Sequence, residues 1–246
     1  MPFWYDKQSY KSGDLSFLSL FKSTGSTIKH MVPWEQLFAD YIAAQLPAND
    51  PAHDLAHVRR VVANARMLAA AEGADMAVVL PAAWLHDCVV VPKDSPQRAQ
   101  ASRLAAATAA DFLHEIGYPA AHIPAIAHAI AAHSFSASIP PESLEARVVQ
   151  DADRLDAIGA IGIARTLMLG TAMGKPLYDD TEPLPATRPP DDARAIIDHF
   201  YTKLLRLAEM MQTATGRREG ERRTALMRLY LDELGRELSG GGLDED

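Results

Sequence analysis

The chain has 246 residues, 48% of them hydrophobic, with 32 acidic against 24 basic side chains and a net charge of -8. That balance excludes a broad electrostatic footprint for nucleic acid and leaves room for a local cationic pocket that takes a small anion. A single cysteine, Cys88, cannot form an internal disulfide, and no apolar run approaches the ~20 residues of a membrane span, so a cytoplasmic protein is expected.

Residues 1–30 mix aromatic, Ser, Lys and Gly residues without a sustained period. They are expected to be a loosely ordered extension, or translated sequence upstream of a start at Met31. From there the apolar spacing predicts helices over 33–46, 54–72, 75–89, 97–116, 121–133, 142–169, 191–214 and 217–238, with Gly73, Gly117 and Gly170 as stops. No strand is predicted. The expectation is a single compact all-α domain over 31–238, followed by a flexible tail over 239–246. The one long irregular stretch, Gly174 to Asp192, carries four prolines between Pro183 and Pro190 and is expected to be a lid or a surface loop.

Three places interrupt the apolar helices with groups that can bind a cation. "PAHDLAHVRRV" sets His53 and His57 four apart, on one face if the helix has already begun, with Asp54 between them. "AAWLHD" ends a wholly apolar helix on His86 and Asp87, where a carboxylate without a partner is costly and a metal or other cation is the natural explanation. "VVQDADRLDAIGAIGIART" places Asp151, Asp153, Arg154 and Asp156 inside another apolar helix. Imidazole with carboxylate suits divalent ions such as Mn, Fe, Ni, Co, Zn or Mg.

The ordered set of "HDLAHVRRV", "AAWLHD", "AAHSFS" and "VVQDADRLDAIGAIGIART" resembles the HD-domain superfamily of metal-dependent phosphohydrolases over about residues 33–236, and within it a bacterial branch of HD-superfamily hydrolases of which some cleave nucleoside triphosphates. Position by position, the resemblance implies His57, His86, Asp87 and Asp153 as ligands of one divalent metal ion. Asp153 is preferred to Asp151 because the family's last acid usually precedes a basic residue, here Arg154. Asp151 is then expected to orient a ligand.

Lys93 and Arg154 are the expected cations for the phosphate charge. Asp54 is expected to orient or deprotonate the attacking water, and His53 or His133 to contact phosphate. Some relatives hold a second metal on extra histidines, a role open to His128 and His133, but the adjacent His-His pair usual in those forms is absent and one metal is expected. The implied substrate is a small phosphorylated compound, a nucleotide by preference. The implied reaction releases pyrophosphate and a monophosphate from a triphosphate, with monophosphate hydrolysis as the alternative. A di-metal oxygenase and a non-catalytic nucleotide sensor are the other readings. The oligomeric state stays open between monomer and homo-oligomer.

Overall fold

Stretches rich in alanine and leucine with one apolar face bury it most simply helix on helix, and the described helices do so. The structure is a computed structural model that describes residues 34–46, 54–91, 98–134 and 137–240; the expected N-terminal extension, His53, Lys93 and the end of the tail lie outside the described residues. Five helices come first: α1 (Trp34–Gln45), α2 (Leu55–Glu72), α3 (Met76–Leu85), α4 (Ala101–Ile116, entered through a 3-10 turn) and α5 (Ile123–His133). Asp54 caps α2 by accepting the His57 N–H at 2.7 Å. Gly73 and Gly117 end α2 and α4 in the left-handed conformation, at φ 77° and 78°.

The centre of the domain is α6 (Leu144–Asp156), packed against α2, α3 and α5. Its Val148, Val149, Ala152 and Leu155 are fully buried, and α3 buries Val79, Ala82, Ala83 and Leu85 beside them. Among the described residues there is no strand, and no single helix is long and apolar enough to cross a membrane. The fold is the all-α one that the sequence predicts.

Two predicted helices are corrected. The stretch 142–169 breaks after Asp156, and α7 (Gly159–Ala172) leaves at 63° to α6. The turn is tight: a Cβ on Gly162 would lie 2.6 Å from the Ala157 carbonyl carbon, and the freed Leu155 carbonyl accepts from Arg223 Nη1 at 2.6 Å. Gly170, predicted as a stop, lies inside α7, where Ile196 fills the space its side chain would need.

The stretch 191–214 contains only α8 (Asp198–Thr202) and 3-10 turns over Leu204–Arg206 and Ala208–Met210 before α9 (Ala214–Leu238) begins. Tertiary hydrogen bonds replace the helical ones there. The Asp151 carboxylate takes the N–H groups of Gln212 and Thr213, both at 2.8 Å, and Arg154 donates to the Met210 carbonyl.

The proline-rich segment from Gly174 is irregular, as predicted, and it is docked: Ile196 and Ile197 donate to the carbonyls of Pro176 and Leu177 at 3.0 Å, and Leu184 packs against Gly235 on α9. Arg188 grips the fully buried Asp198, Nη2 to Oδ1 at 2.8 Å. The Arg188 hydrogen bond holds the Asp198 carboxyl below its ordinary range despite burial. A depressed acid contributes stability above its unfolded pKa of ~3.9 and loses it as pH falls through the folded value. Asp198→Asn therefore costs about 2 kcal/mol at pH 7, and its deficit against the wild type shrinks below pH ~4, as urea unfolding at the two pH values will show.

Candidate metal centre

Three histidines from three helices point their rings at one place. His57 rides on the first turn of α2 that Asp54 caps, and His86 is the first residue past α3, which stops at Leu85 rather than running to residue 89. His133 ends α5. His86 Nδ1 lies 2.8 Å from the Ala83 carbonyl and His133 Nδ1 2.6 Å from that of Ile130. A carbonyl only accepts, so in both rings Nδ1 carries the proton and Nε2 presents a lone pair. His57 Nδ1 lies 2.7 Å from Asp156 Oδ2, and the ionised carboxylate imposes the same tautomer.

The inward nitrogens meet carboxylates. His57 Nε2 is 3.3 Å from His86 Nε2, 3.6 Å from Asp87 Oδ2 and 3.6 Å from Asp153 Oδ1. Asp87 Oδ2 is 3.4 Å from His86 Nε2, and its Oδ1 is 3.6 Å from His133 Nε2. One donor atom each from His57, His86 and Asp87 falls within a 4.8 Å cluster, and Asp153 Oδ1 stands 4.0 Å from His86 Nε2.

Every atom facing this point is therefore an acceptor. Two nitrogen lone pairs 3.3 Å apart repel unless a proton or a cation lies between them, and borderline N,O donors are the set a divalent ion takes. The pKa of His57 expresses the same demand: burial works against its charge, but the Asp156 hydrogen bond and then Asp87 and Asp153 outweigh it and raise the pKa to about 9. His86, fully buried, is shifted the other way by desolvation and stays neutral. Residues His57, His86, Asp87 and Asp153 fit a divalent metal ion.

The remaining expected residues are placed as follows. Asp54 is exposed, with one carboxylate oxygen spent on the α2 cap. Asp151 is engaged elsewhere: its three hydrogen-bond donors are Gln212 N–H, Thr213 N–H and the Thr213 hydroxyl, none belonging to the centre. Two positions from Asp153 on a helix is the opposite side, which explains the difference. Arg154 is likewise buried, and it donates to the Met210 carbonyl. His128 accepts the Glu142 N–H at 3.1 Å and does not join His133, so the second histidine pair is not assembled.

The sequence reading missed three residues. Asp156 Oδ2 takes His57 Nδ1–H, and its carboxylate is also gripped by Arg60 (Nε to Oδ1, 2.6 Å) and by Arg165 (Nη1 to Oδ2, 2.6 Å). Spacing carries a signal for two of them: Asp156 is three after Asp153 and Arg60 three after His57, each pair on one helix face. No local signal marks Arg165, because it returns to the site only through the bend between α6 and α7.

The HD-domain family matches residues 54–158, the stretch that carries His57, His86, Asp87 and Asp153. Bacillus subtilis YpgQ is 34% identical over 204 residues, 81% of this chain and 91% of that protein. The crystal structure of YpgQ in complex with ADP superposes with a TM-score of 0.66 at 33% identity, over 82% of this chain and 94% of that one. An HD-superfamily hydrolase from Bacillus thuringiensis does so with a TM-score of 0.66 at 30% identity, over 86% of this chain and 98% of that one. With His57, His86 and Asp87 gathered at one point of an all-α fold, the chain belongs to the HD superfamily of metal-dependent hydrolases.

Proposed function

We propose that this hydrolase cleaves a P–O bond of a nucleotide, converting a nucleoside triphosphate to a monophosphate and pyrophosphate, with one divalent ion held by His57, His86, Asp87 and Asp153. The observation that carries the reading is the convergence of acceptor-only groups beside two guanidiniums. Asp87, Asp153 and Asp156 carry three negative charges against the two positive ones of Arg60 and Arg165, and in the empty centre a proton on His57 balances the third. A divalent ion takes the place of that proton and makes the site net positive, which attracts an anion.

Such an ion, when bound, polarises a phosphoryl oxygen and makes water more acidic. The chain's own groups do the rest. Arg60 and Arg165, with side chains 33% and 18% exposed, form the cationic wall that faces the phosphate charge in place of Arg154. His133 has a raised pKa because Asp87 outweighs its burial, and in its protonated form Nε2–H donates to a phosphate oxygen. The Asp54 oxygen not used by the α2 cap accepts the proton of the attacking water. The ADP bound by YpgQ supports a nucleotide as the substrate class.

A product assay tests this reading. Purified protein freed of metal by chelation is supplied with Mn, Mg, Co or Ni and a panel of nucleoside mono- and triphosphates, and phosphate is resolved from pyrophosphate. Pyrophosphate from triphosphates is expected, absent after chelation and restored by the ion. Phosphate released from monophosphates alone makes the protein a nucleotidase, and no release from any nucleotide overturns the reading.

A further inference from the structure

Among the described residues, three histidines enter the centre, and His57 differs from the other two in taking its orientation from a distant part of the chain. His86 and His133 are fixed by carbonyls of their own turns, at Ala83 and Ile130. His57 is fixed by Asp156, 99 positions away in sequence. We propose that Asp156 is the positioning residue of this centre: held between Arg60 and Arg165, it sets the tautomer and ring orientation of His57, and the bend between α6 and α7 serves to close that clamp. The proposal rests on the reading of His57, His86, Asp87 and Asp153 as a metal site.

Asp156 is 1% exposed, and a lone carboxylate at such a depth is costly. Both of its oxygens are engaged. Oδ1 accepts Arg60 Nε at 2.6 Å, while Oδ2 accepts His57 Nδ1 at 2.7 Å, Arg165 Nη1 at 2.6 Å and Arg60 Nη2 at 3.1 Å. Arg165 Nη1 and His57 Nδ1 are 3.2 Å apart because they share one acceptor. Charge-assisted bonds from two guanidiniums keep the carboxylate ionised, and an ionised partner at Nδ1 makes the opposite nitrogen a stronger ligand.

The geometry also gives the bend a role. Arg165 is nine residues past Asp156, which on an uninterrupted helix would put the two backbones about 13 Å apart, on a helix running away from the site. Turning the chain by 63° after Asp156 brings Arg165 back onto the carboxylate, where it also reaches the Asp156 carbonyl at 3.3 Å. The tight approach of Gly162 to Ala157 is the local condition for that return.

The test is a calorimetric titration of chelator-stripped full-length protein with Mn2+ alone, with the His57 ring tautomer read by 15N NMR of the metal-free chain above about pH 9, where the ring is neutral. Asp156→Asn is expected to bind Mn2+ about 10–100-fold more weakly and to lose the single Nδ1–H tautomer. Arg165→Gln, which loosens one side of the clamp and leaves Asp156 in place, is expected to weaken binding severalfold in the same direction. Wild-type affinity in folded Asp156→Asn, with only its Tm lowered, makes Asp156 a strut and overturns the proposal. If Asp156→Asn does not fold, wild-type affinity in Arg165→Gln overturns it instead. No substrate enters these titrations, so failure of the nucleotide reading leaves them unchanged, whereas a wild-type chain that binds no Mn2+ overturns the metal site and this proposal together.

Discussion

Asp87→Ala abolishes divalent-ion binding and hydrolysis together. Among the described residues, Asp87 alone faces all three inward imidazoles, with Oδ2 toward His57 and His86 and Oδ1 toward His133. Without it the centre keeps neutral nitrogens and a single ligand carboxylate, Asp153, which stands farther from His86. A residue that merely supports a ligand costs about 10–100-fold in metal affinity or activity, and loss of this ligand is expected to exceed the upper end of that range. The metal-free protein is little disturbed, because Asp87 lies past the end of α3 and its side chain is 21% exposed.

Thermal unfolding separates the two states. An ion at about 100 times its Kd adds about 2.7 kcal/mol to the folded wild type, a rise in Tm of roughly 5–10 °C for a chain of this size. Asp87→Ala is expected to start from a similar metal-free Tm and to show no rise. A rise of wild-type size in the variant places the ion elsewhere.

The cluster was legible in the sequence because its proposed ligands break the apolar pattern of the helices that carry them. His86 and Asp87 follow a helix with no other polar group, and Asp153 interrupts α6 among buried valines. The support of the centre was not legible to the same degree. Asp156 resembles one more acid of a charged helix face until its three partners from α2 and α7 are seen, and two of those, His57 and Arg60, are nearly 100 positions away. The helices over 142–169 and 191–214 were overpredicted for one shared reason. Periodicity records which side of a segment is apolar, but it does not record a half-buried arginine that takes a helix carbonyl, as Arg223 does at Leu155, or a buried carboxylate that takes backbone N–H groups, as Asp151 does at Gln212 and Thr213.

Asp151→Ala destabilises the fold by about 4 kcal/mol and leaves the metal centre as it is. The Asp151 carboxylate is fully buried, and burial pushes its pKa up even though three donors converge on it. Those donors hold the chain between the last 3-10 turn and α9, where Thr213 in turn accepts the Gly216 N–H at 3.0 Å as the N-cap. Gly216 has no side chain because a Cβ there would lie 2.7 Å from Thr213 Oγ1 and 3.0 Å from the Asp151 carboxyl carbon.

Truncation to alanine strands the buried Thr213 N–H, empties the space beside Gly216 and removes the nearest compensating charge from Arg154. Each stranded buried group costs about 1–3 kcal/mol, and an uncompensated buried charge adds to that. Denaturant unfolding should show the loss, and Tm should fall by roughly 10 °C. Because no atom of Asp151 bonds to His57, His86, Asp87 or Asp153, Mn2+ affinity per folded molecule stays at the wild-type value. A folded Asp151→Ala protein with weakened Mn2+ binding would return to this residue the ligand-orienting role proposed for Asp156.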